Sequence, residues 1–325
     1  MINPAKLTGA RRDSICMQCH LEGEARIARA GRSQQDYRPG DRLSDVLAIF
    51  VREDDARQRR AAVSHVESMA LSACRRSSGD ALACITCHDP HVQPDGVERA
   101  GYYRAKCVGC HAPKAAAHYP RQRDCTACHM PRMDSADISH TVVTDHRIVR
   151  APHADPPRSA DVGRLVPFGD TGSDPRDLGL AYGEVALRGS AFAAGEALRL
   201  LEAARLQNPA DVEVLLRLAY LHQANGHAET AERYYEQIVA HDPGRAIAAA
   251  NLGVFYVRRG RVRETLDMWR NAFDRNPQLS ELGVNLSRLL CDTGDADEAR
   301  AVLQRVLKHN PDLQLRVEEC GLRIH

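Results

Sequence analysis

The sequence predicts a mainly α-helical chain in two unlike parts: a loop-rich N-terminal half with short helices, then a solenoid of paired helices. Three observations predict it. Pro209, Pro243, Pro277 and Pro311 recur every 34 residues, and Gly226, Gly260 and Gly294 keep the same period, which is the length of a two-helix repeat. Residues 1–150 show little periodicity and few large apolar side chains. That same half writes Cys-x-x-Cys-His four times.

The four strings are Cys16-Met17-Gln18-Cys19-His20, Cys84-Ile85-Thr86-Cys87-His88, Cys107-Val108-Gly109-Cys110-His111 and Cys125-Thr126-Ala127-Cys128-His129. This is the attachment pattern of a c-type haem: two thiols add to the porphyrin vinyl groups and the adjacent imidazole becomes the proximal iron ligand. Zinc competes, because Cys-x-x-Cys pairs also make structural zinc sites. The fifth residue decides. Histidine is 15 of 325 residues, so its presence after all four pairs by chance is on the order of one in 200,000. The sequence therefore predicts four haems held by Cys16, Cys19, Cys84, Cys87, Cys107, Cys110, Cys125 and Cys128, with His20, His88, His111 and His129 proximal. Haem brings one-electron chemistry. Cys74, Cys291 and Cys320 remain and read as buried thiols; Cys74 is near enough to the motifs to be reactive or ligating.

What fills each sixth iron position separates a wire from an enzyme. The candidate distal ligands are His65, His91, His118, His140 and His146, with His153 a weaker one. His91, three residues after His88, cannot reach the far face of its own haem and would cap a neighbour. His65 and Met69 stand one helical turn apart and can face one haem. Met17, Met69, Met130 and Met133 are possible axial substitutes that would raise the potential.

With so few apolar residues, the first half is expected to use its porphyrins as the core. Asp36-Tyr37-Arg38-Pro39-Gly40-Asp41 reads as a turn, and 43–51 and 61–74 read as helices from their spacing. Residues 1–150 carry 23 Lys+Arg against 18 Asp+Glu, and 151–325 carry 21 against 25. Haem propionates offset the first surplus, so no nucleic-acid surface is inferred. No apolar run reaches the length of a membrane span. Attachment of c-haem takes place outside the cytoplasm, yet Met1-Ile2-Asn3-Pro4-Ala5-Lys6 shows no export signal. The expectation is a periplasmic or cell-surface protein whose numbered chain either starts inside a longer precursor or has lost its front end.

Residues 1–150 resemble the multihaem c-type cytochromes that include the tetrahaem electron carriers of nitrification. The likeness rests on Cys84…His88-Asp89-Pro90-His91, Cys125…His129-Met130-Pro131 and Thr144-Asp145-His146. More closely, the chain resembles bacterial multihaem cytochromes fused to tetratricopeptide repeats. In those, a Cys-x-x-Cys-His and a further His commonly precede a stretch like Asn3-Pro4-Ala5-Lys6; the departure here implies further haems upstream.

A Pro/Gly-rich linker is expected at 151–176 and repeats at 177–325: a weaker one at 177–211, then 212–245, 246–279 and 280–313, with a capping helix at 314–325. Leu218-Ala219, Leu252-Gly253 and Leu286-Ser287 are the close-packing pairs; Ala231, Thr265 and Ala299 are the small residues of the second helices, and Tyr235, Trp269 and Leu303 the bulky ones. Glu213, Leu216, Tyr220, Val254, Arg258, Asn285 and Leu289 are expected to face the concave groove. No nucleophile–base pair, P-loop or metal-ligand cluster is read in the repeats, where His222, His227, His241, His309 and His325 read as scattered and solvated, so no catalytic residue is assigned. The expected function is electron relay between redox partner proteins, docked through the groove, with self-association also open. The rivals are an oxidoreductase acting on a small nitrogen or sulfur compound at an open haem, and a haem-bearing scaffold.

Overall fold

A computed structural model describes residues 2–53, 62–118, 124–135, 137–150, 163–169, 172 and 174–313, the side chains of 114–118 excepted. Two compact units divide the chain, Met1–Ala197 and Leu198–His325.

The first unit is assembled from short pieces. They are α1 (Gly9–His20), β1 (Ala25–Ala28), β2 (Leu47–Arg52), α2 (His65–Ala70), α3 (Ala73–Ser78), α4 (Cys84–Cys87), α5 (Arg99–His118), α6 (Thr126–His129), β3 (Arg132–Asp134), β4 (Val142–Thr144), β5 (Leu165–Pro167) and α7 (Pro175–Ala186). Strands β1, β2 and β5 form an antiparallel sheet with β2 central, Ala25 facing Phe50 and Phe50 facing Pro167. Beneath it lies a small conventional core of Leu21, Tyr37, Leu43, Val46, Leu47, Ile49 and Val66. The expectation that this half has no core of its own is thereby corrected. So is the expected helix at 43–51: only Leu43–Asp45 makes a turn of 3-10 helix, and Leu47–Arg52 is strand. A central strand buried on both faces gives a continuous apolar run, which spacing alone does not distinguish from a buried helix. Over 61–74 the expected single helix is two, α2 and α3, meeting where Ser72 accepts a hydrogen bond from the Arg75 amide at 3.0 Å.

Helix α7, placed by its sequence at the head of the repeats, packs on the sheet of the first unit. The buried Asp177 carboxylate meets Arg29 at 3.1 Å and Arg176 at 2.7 Å. The Leu165 amide donates to the Tyr182 hydroxyl at 3.0 Å.

Beyond α8 (Ala191–Gln207), the second unit stacks α9 (Val212–Ala224), α10 (Ala228–His241), α11 (Ala246–Arg258), α12 (Val262–Arg275), α13 (Ser280–Asp292) and α14 (Ala296–His309). Each pair turns through Gly226, Gly260 or Gly294, at φ +78°, +75° and +92°, a region that residues with a Cβ rarely enter. Tyr235, Trp269 and Leu303 are buried between layers, which is why the period demands a bulky residue there. Glu213, Val254 and Arg258 are exposed, and Tyr220 and Asn285 are half-buried. Leu216 and Leu289 are corrected, being buried in the stack rather than open to a groove. The capping helix expected at 314–325 lies outside the described residues.

Candidate functional site

Each Cys-x-x-Cys-His string occupies about one helical turn, which puts two thiols three residues apart on the same side. Cys16, Cys19 and His20 end α1; Cys84 and Cys87 bound α4, with His88 as its cap; Cys125 caps α6, which holds Cys128 and His129. Cys107 and Cys110 lie in α5, whose helical geometry breaks at His111 (φ −113°, ψ 22°), two residues before Pro113. Proline removes an amide donor and crowds the preceding turn, so the break falls where the motif ends.

The motifs are neighbours in space in the order they hold in sequence. The Cys16 and Cys84 thiols share a hydrogen bond, which lowers the Cys16 pKa to about 7 and, with burial, raises that of Cys84. Burial raises Cys87, with further upward contributions from nearby Cys110 and Cys74. Burial pushes Cys107 up to about 11, and Cys107 is hydrogen-bonded to Cys125. The eight motif cysteines and Cys74 are free thiols. Cys291 corrects its expectation: it is disulfide-bonded rather than a thiol. Cys320 lies outside the described residues.

Four histidines form a row. The His20 and His65 rings stand 5.2 Å apart between centroids, His65 and His146 4.8 Å, and His146 and His88 6.1 Å. Each pair in this row joins elements distant in sequence, from α1 to the segment after β4. Burial lowers the pKa of His65 to about 4 and also lowers those of His88 and His146, so these imidazoles are neutral and keep a ring lone pair. The His65 Nδ1 atom is buried without a hydrogen-bond partner. His146 donates from Nδ1 to the Thr144 carbonyl at 2.9 Å, and His129 from Nδ1 to the Val149 carbonyl at 2.8 Å. Such a bond from Nδ1 fixes the tautomer and turns Nε2 of His146 into the lone-pair atom, the outer-shell support that metal-bound imidazoles usually have.

These residues suit a covalently attached haem. Imidazole–metal bonds of about 2 Å on either side of one metal place ring centroids roughly 6 Å apart. His88 and His146 stand at 6.1 Å with planes 30° apart, and His20 and His65 are closer, at 5.2 Å. Among the described residues, no group of three or more His, Cys, Asp or Glu is arranged to hold a bare metal ion.

The remaining candidates are not in the row. His91 is exposed, its amide donating to Asp89 at 2.9 Å, and it lines a cavity of about 500 Å³ with Ile2, Pro4, His88 and Lys106. His140 is exposed at φ +59° between β3 and β4. His118 ends α5, its side chain outside the description, and His153 lies outside the described residues.

Sequence reading missed the supports. Tyr103 meets His88 Nδ1 at 3.3 Å. Buried Asp13, one turn before Cys16, pairs with Arg12 and with Arg75 of α3, both at 3.0 Å. Arg75 also donates to the Gly79 and Leu82 carbonyls, so this ion pair ties the first motif helix to the approach of the second. Asp13→Ala is expected to lower the first unit's stability by about 1–3 kcal/mol, because the partner donors lose a charged acceptor. An unchanged denaturation midpoint would refute that role.

The comparisons with known proteins bear on the second half. Residues 190–253 and 256–317 match the family model described as tetratricopeptide repeat. The C-terminal helices are tetratricopeptide repeats. Such arrays present a concave surface suited to docking peptides or proteins. Among solved structures, a crystal structure of MamA is 19% identical with a TM-score of 0.37, covering 46% of this chain and 82% of that one. A second MamA structure is 18% identical with a TM-score of 0.39, covering 45% and 79%. MamA AMB-1 is 22% identical with a TM-score of 0.36, covering 43% and 78%. No curated protein matches the chain. Among the described residues, no helix is long and apolar enough to cross a membrane.

Proposed function

We propose that this chain is an extracytoplasmic tetrahaem c-type cytochrome that relays electrons, with its tetratricopeptide repeats docking a redox partner protein. The observation that carries the reading is the contiguity of the four motifs, Cys16 against Cys84, Cys87 near Cys110, and Cys107 against Cys125. A relay needs its centres adjacent, and no other property of a Cys-x-x-Cys-His string requires that.

Haem c, once attached, would supply reversible one-electron chemistry at iron. The chain's own residues do the rest. The thiol pairs would anchor each haem to a helical turn, and His20, His88, His111 and His129 would be the proximal donors. His65, beside His20, and His146, beside His88, would supply further donors; the carbonyl of Thr144 holds the His146 tautomer. Where such a donor is supplied, as beside His20 and His88, it would deny small molecules access to the iron and favour electron transfer. The disulfide at Cys291 supports the location, since such bonds persist mainly in oxidising compartments.

Protein matured in a host that attaches c-haem should gain four haem masses, and Cys84→Ala/Cys87→Ala should gain three. Apoprotein mass, or stoichiometric zinc, would end the reading. The cavity beside His88 and His91, with Lys106 on its wall, favours one second reading, an oxidoreductase taking a small anion at an open haem. Low-temperature EPR separates the two: wholly low-spin ferric spectra fit relay, and a high-spin signal altered by nitrite fits catalysis.

A further inference from the structure

The turn between the two helices is built the same way in the repeats 212–245, 246–279 and 280–313. The His227 amide donates to the His222 carbonyl at 2.8 Å, Arg261 to Tyr256 at 2.9 Å, and Asp295 to Leu290 at 2.9 Å. With glycine just before each donor, this closure brings residues i and i+5 side by side. Repeat 246–279 uses it to set Arg261 over the Tyr256 ring at 3.6 Å. Repeat 212–245 places two imidazoles there, with Nδ1 of His222 only 3.3 Å from Nδ1 of His227.

We infer that His222 and His227 form a binding site for a single transition-metal dication, with water completing its coordination. Two nitrogens about 2 Å from one tetrahedral metal stand roughly 3.3 Å apart, the separation found here. The pair is also supported from behind. His222 stacks on Tyr234, with centroids 5.8 Å apart. Its Nε2 is buried without a hydrogen bond and faces Glu202 at 3.6 Å. Glu202 is itself held by the Tyr234 hydroxyl at 2.6 Å and by Arg205 at 2.9 Å. A carboxylate behind the far nitrogen of a histidine orients the ring and makes its near nitrogen a better donor. His227 is exposed and its ring is open to the entering ion. Imidazole donors suit copper, nickel and zinc, with Cu²⁺ bound most tightly.

The test is calorimetric titration of the full chain with Cu²⁺ and with Zn²⁺, comparing wild type with His227→Gln and His222→Gln. The wild type should bind one equivalent that both variants lose or hold at least tenfold more weakly, while keeping the wild-type far-ultraviolet dichroism and melting curve. An isotherm unchanged by His227→Gln, which alters an exposed side chain and should not disturb folding, would show that the two rings form only an imidazole–imidazole hydrogen bond. Neither residue belongs to the first unit, whose thiols also take Zn²⁺ or Cu²⁺ when no haem is attached, so the readout is the one equivalent by which wild type exceeds both variants at equal haem content.

Discussion

Trp269→Ala is expected to destabilise the repeat array by about 3–5 kcal/mol, the cost of emptying a large aromatic site. The indole is 4% exposed, and its Nε1 donates to the Ala249 carbonyl at 2.9 Å, so truncation leaves both a cavity and an unpaired carbonyl. The ring lies so close to Gly253 that a Cβ added there would come within 2.1 Å of Nε1. Gly253→Val should therefore also destabilise, by about 1–3 kcal/mol, through overpacking. The pair should couple: in Trp269→Ala/Gly253→Val the new methyls occupy part of the vacated space, so the double variant should lose less than the sum of the single losses. Urea denaturation followed by far-ultraviolet dichroism measures all three. A Trp269→Ala midpoint equal to wild type, or strictly additive losses, would contradict the packing. Repeat arrays are held by nearest-neighbour interfaces, so damage at one layer should weaken the whole stack.

That layer was legible because repetition writes it three times. Tyr235, Trp269 and Leu303 share one register, and their burial follows from period alone. The helix phase was less legible. Spacing alone points Leu216 and Leu289 at the groove, but both turn into the stack. In the first unit, motif chemistry could be read but its spatial arrangement could not. His20, His65, His88 and His146 meet only because α1, α2, the α4 cap and the segment after β4 converge, and nothing local in the sequence encodes such long-range closure. The strand at Leu47–Arg52 was hidden by its own burial, since alternation disappears when both faces are covered. The disulfide at Cys291 was unreadable for a simpler reason: cysteine spacing does not determine connectivity.

His146→Ala in haem-loaded protein should convert one of the four centres from low-spin to high-spin while leaving all four covalent attachments in place. The separation between ligation and attachment follows from the residues: attachment needs only the thiols of the motifs, whereas His146 reaches its neighbour from a different segment. That segment is strongly held. The Asp145 carboxylate, 3% exposed, receives Arg147 Nε and Nη2 at 2.9 and 2.7 Å. The chain then turns through Ile148 at φ +53°, a conformation costly for a β-branched residue, before the Val149 amide bonds to the His129 carbonyl at 2.9 Å. Strain of this kind persists only where the surroundings fix it, and here it aims one imidazole into the row while bracing the fourth motif. His146→Met should instead keep the centre low-spin and raise its potential, because a thioether is the weaker donor to ferric iron. Ferric EPR and redox titration together read both variants. If low-spin intensity in His146→Ala equals wild type at equal haem content, His146 is not a ligand, and its carbonyl-locked tautomer serves only to close the turn.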